Sequence, residues 1–347
     1  HVCRGSRAVV RNFRVPPPNR QPRQFIAALQ RIIRRQRVDV LIPTCEETFF
    51  VAMGRRSLRE SCAVFTAEIE QLRRLHNKFT FAQTVRRYGL PVPSTRLLTN
   101  PAEARSLVGK NVVLKPAYSR FTTQTIIRPR ATSQIPANIS PARPWVAQDF
   151  ETGPLLCTSS VAHQGRLTAH ADYAAEFSAG AGGAVSFAPA RNAAAHRWVT
   201  EFVTREQFTG QISFDFIETG PGRVTAIECN PRATSGLHLF GPALANAYLH
   251  PNLPTLEPPD LAAKMVAPAM LWAGLGAART RRGFRRWWNC FSHSRDVIFS
   301  PTDPAPGLVG QWLSLGYFLW QSVRHRISPV AATTDDIEWN GGVIKMQ

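Results

Sequence analysis

The residues of this sequence best suited to chemistry lie in one short stretch, QISFDFIETGPGRVTAIECNPRATSG, at positions 211–236. Two runs of alternating apolar and polar residues flank a turn rich in glycine and proline, which predicts a β-hairpin. Asp215 lies in the first run and Glu228 ends the second, so the hairpin would place the two carboxylates near the same end. Asn230 and Arg232 lie two and four residues after Glu228. Because side chains alternate along an extended chain, both would project to the same side as Glu228.

This set of side chains is suited to a divalent cation that holds a polyphosphate. The carboxylate and carboxamide oxygens of Asp215, Glu228 and Asn230 are ligands of the kind that hard cations prefer. The planar guanidinium of Arg232 grips phosphoryl oxygens. A solvated hairpin whose acids face water is the alternative, but it explains neither the apolar flanks nor the E-x-N-x-R run. The sequence therefore predicts a metal and phosphate site on this hairpin.

The hairpin resembles the metal-binding hairpin of ATP-grasp enzymes, with the carbamoyl-phosphate synthase large chain and biotin carboxylase as the nearest types. The resemblance spans residues 38–248 and includes several separate motifs in the same order. It implies that Asp215, Glu228 and Asn230 bind Mg²⁺ or Mn²⁺. It also implies a catalytic role for Arg232, which would steady the transferring phosphoryl group or the acyl phosphate.

The same resemblance implies an α+β fold with three parts. Residues 76–250 would form the two-lobed ATP-grasp domain, with adenine between the lobes. Residues 1–75 would form a partial, truncated α/β pre-ATP-grasp domain that lacks its first strand and glycine-bearing loop. Residues 251–347 would form a helical C-terminal appendage.

Two lysines extend the resemblance to the nucleotide. Lys78 follows the predicted helix cap Asn77 and stands where the lysine that opens this helix in the family reaches ATP phosphate. Lys115 lies in the strand Val112–Pro116 with its side chain directed inward, and a buried lysine needs an anionic partner such as a phosphate. Only five lysines occur in the chain, so each of these matches is informative.

Further nucleotide contacts follow from the resemblance alone. Where family members often carry a glycine-rich phosphate loop, this chain has Ser119 and Arg120, whose hydroxyl and guanidinium would serve the same anion. The strand WVAQDF at 145–150 resembles the hinge that binds adenine. This assigns Gln148, Asp149 and Phe150 to the nucleotide.

Together these features predict an ATP- and Mg²⁺-dependent carboxylate–amine ligase, which activates a small carboxylate as an acyl phosphate for attack by an amine or another nucleophile. One residue departs from the family pattern. Leu155 stands where many members carry an acid that contacts ribose or metal, and a leucine cannot make that contact. It favours the alternative, a non-catalytic nucleotide-binding relative.

The segment before residue 76 shows an α/β pattern. Residues 8–15 are predicted to form a strand, 24–37 a helix, and 38–42 and 63–65 two strands, the first of parallel-sheet type. Glu46 and Glu47 follow the strand at 38–42, on the side where α/β sheets place ligands. They would either contact substrate or serve as favourable acids in the first turn of a helix.

Composition limits the other classes of function. The net charge of +19 comes almost entirely from arginine, alongside many alanines and prolines, as a GC-rich genome would give. Without a nucleic-acid-binding module, we do not expect nucleic acid as a partner. Six scattered cysteines lack metal-site spacing and indicate reduced thiols in a cytoplasmic protein. No apolar run approaches the length of a membrane-spanning helix.

Beyond the hairpin, residues 237–248 are predicted to form an apolar helix, and so are 262–278 and 308–323. The basic run RTRRGFRR at 279–286 lies between the last two, next to Trp287 and Trp288. Basic and aromatic residues beside apolar helices can mark a membrane-surface segment. A helical appendage packed on the catalytic body is the preferred interpretation. The glycine-rich stretch at 179–185 is either a hinge or, as the resemblance implies, a loop that closes over the acceptor substrate.

Overall fold

The structure is a computed structural model, and it describes residues 2–119, 124–178, 184–274, 276 and 278–342. Within these residues the strands form a parallel pair, a four-stranded sheet and a seven-stranded sheet, with helices packed around them. The predicted mixture of helix and sheet is confirmed.

The N-terminal part is a small α/β unit. Strands β1 (Val40–Leu41) and β2 (Ala63–Val64) pair in parallel, as the apolar run at 38–42 predicted. Four helices surround the pair: α1 (Pro22–Gln36), α2 (Glu47–Met53), α3 (Arg55–Leu58) and α4 (Ile69–His76). The strand predicted at 8–15 is wrong, because that stretch is irregular and pairs with neither strand.

The four-stranded sheet has the order β3-β6-β4-β5 and belongs to the first lobe. Its strands are β3 (Thr95–Leu98), β4 (Val112–Pro116), β5 (Ile126–Ile127) and β6 (Trp145–Asp149), and helices α5 (Lys78–Arg87) and α6 (Pro101–Arg105) precede β3 and β4. Leu98, Leu114 and Ala147 pack in an apolar cluster on one face. The alternate residues of β4 and β6 therefore project to the opposite face.

The seven-stranded sheet has the order β11-β10-β7-β8-β9-β12-β13. Its strands are β7 (Leu155–His163), β8 (Arg166–Ser178), β9 (Ala184–Ala190), β10 (Gly210–Gly220), β11 (Arg223–Asn230), β12 (Lys264–Met265) and β13 (Arg295–Asp296). Helix α7 (Ala193–Glu206) lies between β9 and β10 in the chain. The glycine-rich loop predicted to close over a substrate lies largely outside the described residues.

An aromatic core joins the hairpin to α7. Phe214 and Phe216 of β10 are fully buried and meet Trp198, whose ring stacks on Phe202 at a centroid distance of 5.1 Å. The same cluster includes Phe49 and other side chains of the N-terminal unit. Residues 1–75 thus share a continuous core with the large sheet, and the three-part division of the chain stays a prediction.

The C-terminal part contains several short helices. They are α8 (Leu244–Leu249), Ala267–Ala269, the π-helix Met270–Gly274, Arg281–His293, the π-helix Pro306–Gly310, Gln311–His325 and Pro329–Ala332. The apolar helix predicted at 237–248 is wrong in its first half, where 3₁₀ turns at Ser235–Leu239 and Gly241–Ala243 precede α8. Gly241 has a φ of 62°, which an α-helix does not accommodate, and Pro242 has no amide donor.

The helix predicted at 262–278 is also replaced by shorter elements. Lys264 and Met265 form strand β12, which lies between β9 and β13, and only the following segment turns helical. No helix within the described residues is long and apolar enough to cross a membrane.

The aromatic core yields a stability prediction. Phe214→Ala should cost about 3–5 kcal/mol of unfolding free energy, because it removes a buried ring between Trp198 and Phe202 and leaves a cavity. Phe13→Ala, at an exposed position, should cost less than about 1 kcal/mol. Urea unfolding of both variants measures the difference, and equal costs would contradict this description of the core.

Candidate nucleotide and metal site

The β10–β11 hairpin presents its polar side chains on one face. Asp215 lies directly opposite Glu228, and Ser213 lies opposite Asn230. The neighbouring strand β7 places Cys157 beside Asp215. Because residues alternate, the aromatic side chains of the hairpin fill the core while its acids line the open face.

A β-bulge interrupts this hairpin next to the acids. The register shifts between Asp215 and Phe216, so Ile227 has no partner on β10. Its carbonyl oxygen instead accepts a hydrogen bond of 3.1 Å from the Nζ of Lys115, which belongs to the other sheet. The bulge thus frees a backbone acceptor that holds the two lobes together at the site.

Two buried lysines converge on Glu228. The Nζ of Lys78 lies 3.4 Å from its Oε1, and the Nζ of Lys115 lies 4.0 Å from its Oε2. Lys78 opens α5, whose first amides are capped by the Asn77 side chain, and its Nζ also donates to the Ser119 carbonyl oxygen at 3.0 Å. A helix start and a central strand therefore deliver two cations to one carboxylate.

Burial and charge set the pKa values of this group. Burial lowers the pKa of Lys115 to about 8, opposed by Glu228 and reinforced by the charge of Lys78. Burial and the neighbouring Glu228 raise the pKa of Asp215 to about 6, while Cys157, Lys115 and Arg232 act in the opposite direction. Both shifts would be relieved by a ligand that brings phosphate to the lysines and a cation to the acids.

Arg232 lies at the end of the hairpin between two oxygen acceptors. One terminal nitrogen donates to the Oδ1 of Asn230 at 3.2 Å, and its Nε lies 3.5 Å from the Oε1 of Glu46. Glu46 is only 1% exposed, so the two form a buried ion pair. Glu47 instead accepts the amides of Thr44 and Cys45 at the start of α2. Glu47 is thus an acid of the first helical turn, as one alternative predicted, whereas Glu46 is engaged by Arg232 and its contact with substrate stays a prediction.

The C-terminal tail reaches the same acid, which sequence reasoning missed. The backbone amide of Trp339 donates to the other carboxylate oxygen of Glu46 at 3.1 Å. The indole is buried and packs on Phe49 and Tyr118 with centroid distances of 4.7 and 5.4 Å. A lone tryptophan between polar residues near the chain end was the only sequence signal for this contact.

The remaining predicted nucleotide residues occupy the first lobe. Gln148 is opposite Val113, which lies two residues before Lys115, and it therefore shares the face that carries the lysine. Its side-chain amide donates to the Thr95 hydroxyl. Asp149 is exposed at the end of β6, and the ring of Phe150 lies under a guanidinium. Arg120 lies outside the described residues.

The donor set fits a hard divalent cation that also binds phosphate. Asp215 and Glu228 offer carboxylate oxygens, and Asn230 offers a carboxamide oxygen. Among the described residues, no three His, Cys, Asp or Glu side chains form a cluster able to hold a metal alone. Two acids and an amide would therefore need phosphate oxygens or water to complete the coordination of Mg²⁺.

A large cavity of about 1210 Å³ lies beside this group rather than around it. Tyr118, Ser119 and Trp339 are among the residues that line it, so it borders the loop after Lys115 and the C-terminal tail. The hairpin acids do not line it. Ser119 lines the cavity and its carbonyl oxygen accepts from Lys78, so the cavity borders the lysine side of the site.

Leu155 projects on the same face as the acids. It pairs with Ile217, and Cys157 pairs with Asp215 two residues away, so both β7 side chains point to the open face. Leu155 is 47% exposed. The residue that departs from the family pattern is thus a surface residue beside the site and not part of the core.

Several solved structures have folds similar to this one. An N5-carboxyaminoimidazole ribonucleotide synthetase bound to ADP superposes with a TM-score of 0.53 at 16% identity, covering 69% of this chain and 66% of that one. A carboxyaminoimidazole ribonucleotide synthase from Aspergillus clavatus, complexed with ATP, gives 0.52 at 16% identity and 67% of each chain. This chain has the ATP-grasp fold.

A third ATP-grasp structure supports the same conclusion. The N5-carboxyaminoimidazole synthetase from Staphylococcus aureus gives a TM-score of 0.52 at 13% identity, with 69% of this chain and 67% of that one covered. This chain spans about two thirds of the length of each of these three proteins. No family model matches the sequence, and no curated protein matches it. The predicted two-lobed ATP-grasp fold is therefore confirmed. At sequence identities of 13–16%, these comparisons concern the fold alone.

The pKa of Asp215 predicts a pH-dependent stability effect. A carboxyl whose folded pKa is about 6, above its ordinary value of 3.8, destabilises the fold progressively as the pH rises through that interval. Asp215→Asn should therefore raise the melting temperature at about pH 8, and the gain should shrink as the pH falls toward about 4. Melting curves of both proteins across this range measure it. A loss of stability at about pH 8 would show that the Asp215 carboxylate is needed by the fold.

The exposure of Leu155 predicts that Leu155→Glu is tolerated. The substitution should change the unfolding free energy by no more than about 0.5 kcal/mol, as expected for an exposed side chain. Binding of Mg·ATP, measured calorimetrically, should be unchanged or tighter, because an acid returns to the face that carries Asp215. A large loss of stability would mean that Leu155 packs in the core and that the assignment of the hinge is wrong.

Proposed function

We propose that this protein is an ATP- and Mg²⁺-dependent ligase that activates a small carboxylate as an acyl phosphate for attack by an amine or another nucleophile. One observation carries the proposal: two buried lysines from separate elements of the first lobe meet Glu228 of the second lobe, opposite Asp215. Two similar ATP-grasp structures hold ATP or ADP.

In this proposal Glu228 keeps Lys115 charged and orients both lysines until phosphate replaces it. Burial alone would drive Lys115 toward its neutral form, and the carboxylate opposes that tendency. Lys78 and Lys115 would hold the phosphate oxygens of the nucleotide, and Asp215, Glu228 and Asn230 would hold Mg²⁺. Bound Mg²⁺ would neutralise charge on the phosphates.

Arg232 is proposed as the catalytic residue. Its guanidinium is always charged and already oriented by Asn230 and the buried Glu46, so little side-chain freedom is lost when it contacts a phosphoryl group. A preorganised cation stabilises the charge that develops on the transferring group. On the resemblance, Gln148, Asp149 and Phe150 would bind adenine, and Ser119 and Arg120 would contact the phosphates.

The reaction needs no covalent nucleophile from the protein. A carboxylate oxygen attacks the γ-phosphorus, the bond to the β–γ bridging oxygen breaks, and ADP leaves. The amine then attacks the acyl carbon, phosphate leaves with the bonding electrons, and the amine proton is lost to solvent.

The partners in this proposal are therefore small molecules. Six free thiols agree with a cytoplasmic location.

The alternative is a protein that binds nucleotide without turnover. Leu155 favours it, since this exposed leucine leaves the site face one acid short of the pattern common in the family. The experiment is ADP release in the presence of Mg·ATP and a panel of amino acids and small carboxylates. Turnover supports the ligase, and Mg·ATP stabilisation without turnover supports the binding protein.

Glu228→Gln tests the residue on which both lysines converge. It should reduce ADP release by about 100-fold or more, since it removes a charged group from the site of phosphoryl transfer. It should also abolish the rise in melting temperature produced by Mg·ATP. The protein should stay folded but with a lower melting temperature, because Gln keeps the size of the side chain but removes the anion beside two buried lysines.

Glu201→Gln is the matched control, because Glu201 pairs with Arg205 on the surface of α7, away from the hairpin. That variant should retain full activity and full stabilisation by Mg·ATP. If Glu228→Gln behaves like Glu201→Gln in both measurements, the proposed site is wrong.

A further inference from the structure

Helix Gln311–His325 has the reverse of the usual amphipathic arrangement. Its buried side chains are polar: Gln311 donates to the Gly307 carbonyl and Ser314 to the Gly310 carbonyl. Its outward side chains are apolar, with Leu313 70% and Val323 80% exposed. Burying such side chains is favourable wherever a partner surface exists, so this face is built to be covered.

The exposed residues of this helix form one stripe. Leu313, Tyr317, Trp320 and Arg324 follow one another at intervals of four, three and four residues, which places them on one side of an α-helix. The guanidinium of Arg324 lies over the Trp320 ring at 5.0 Å. The stripe thus combines aliphatic, aromatic and cationic groups along its length.

A second helix, Arg281–His293, adds aromatic rings and positive charge. It buries Trp287, whose indole nitrogen donates to the Met270 carbonyl, but exposes Phe284 and Trp288 with nearly parallel rings. Arg281, Arg282 and Arg285 are exposed on the same helix. Both helices pack near the segment Ala267–Gly274, which brings them into one region of the molecule. We call the exposed side chains of these two helices the aromatic–arginine surface.

The charge of this region selects the kind of partner. Residues 261–328 contain nine lysines and arginines and only two acids, Asp296 and Asp303, a net charge of +7. Both acids are engaged internally: Asp296 accepts from Gln311, and Asp303 accepts from Ser6 and the Arg7 amide. Contact with the same region of a second copy of this chain would place two positively charged surfaces against each other. An anionic partner is complementary.

We propose that the aromatic–arginine surface docks this protein on an anionic lipid membrane, with the two helices lying in the plane of the interface. Tryptophan and tyrosine prefer the headgroup region, arginine binds lipid phosphates, and leucine and valine enter the acyl boundary. Nucleic acid is anionic too and stacks on aromatic rings, but it offers no apolar environment in which Leu313 and Val323 would be buried. Neither helix is long enough to span a bilayer, so the contact is peripheral.

This proposal replaces the packed appendage as the role of these helices. In that interpretation the apolar side chains of 308–323 would face the catalytic body, whereas in the structure Leu308, Leu313 and Val323 are 63–80% exposed. The docking proposal is also independent of the proposed ligase activity. It depends on exposed residues of the C-terminal part and uses none of the residues of the nucleotide site.

The test is co-sedimentation of the full chain with phosphatidylcholine vesicles, with and without about 30% phosphatidylserine, at about 0.1 M salt. We expect binding only to the anionic vesicles, with an affinity that falls as salt is raised. The triple variant Arg281→Gln, Arg282→Gln, Arg285→Gln should weaken binding by about fivefold for each arginine removed. The double variant Leu313→Gln, Val323→Gln should weaken it by about tenfold or more.

Two controls separate this surface from general charge and hydrophobicity. Arg86→Gln with Arg87→Gln removes exposed arginines from α5, and Val10→Gln removes an exposed valine near the N-terminus. Neither control should change vesicle binding, and all variants should keep the parent melting temperature because the substituted side chains are exposed.

Three outcomes would overturn the proposal. The first is no binding to anionic vesicles at about 0.1 M salt. The second is equal weakening of vesicle binding in the control variants. The third is a partner of another class: single-stranded DNA retained by the parent and by Leu313→Gln, Val323→Gln alike, or self-association in sedimentation experiments that this double variant abolishes.

Discussion

The site depends on the placement of two lysine ammonium groups in a buried position beside one glutamate. Removing Lys78 and Lys115 from water is costly, and only a fixed anion offsets that cost. Glu228 supplies the anion in the nucleotide-free protein, at 3.4 and 4.0 Å from the two nitrogens. The helix cap, the central strand and the bulge at Ile227 all serve to hold these charges together. The two ammonium groups thus have an anionic partner within the protein, and in the proposed function a phosphate would take its place.

A second feature links parts of the chain that are distant in sequence. Glu46 follows a strand of the N-terminal unit, Arg232 ends the hairpin, and Trp339 belongs to the C-terminal tail. The buried carboxylate of Glu46 nevertheless contacts both Arg232 and the backbone amide of Trp339. The charge of Glu46 is compensated by Arg232 and by a backbone donor, as burial requires. The orientation of the proposed catalytic arginine is therefore a property of the whole chain and not of the hairpin alone.

The C-terminal helices and the nucleotide site make opposite use of polar groups. Around Glu228, charges are buried and matched. On helix Gln311–His325, polar side chains are buried against backbone carbonyls while apolar ones face outward. An outward apolar stripe costs free energy in water, so it persists for a reason other than folding. Together with the excess of arginine, it gives the protein a surface suited to a lipid interface beside a site suited to a soluble nucleotide.

The sequence by itself determined the local elements and the residue types of the site. Alternation fixed which face of the hairpin carries Asp215 and Glu228, because the period of a strand is two, and the Asn77 cap fixed where α5 begins. Only the tertiary structure brought Lys78 and Lys115 to the same carboxylate, since contacts 112 or more residues apart leave no periodic signal in one sequence. It also separated Glu46 from Glu47, which are equivalent in sequence but differ in which one faces Arg232. The same holds for the apolar stretch at 308–323, whose hydrophobicity predicted a helix but not that its apolar side would face outward, because that depends on which neighbours the fold provides.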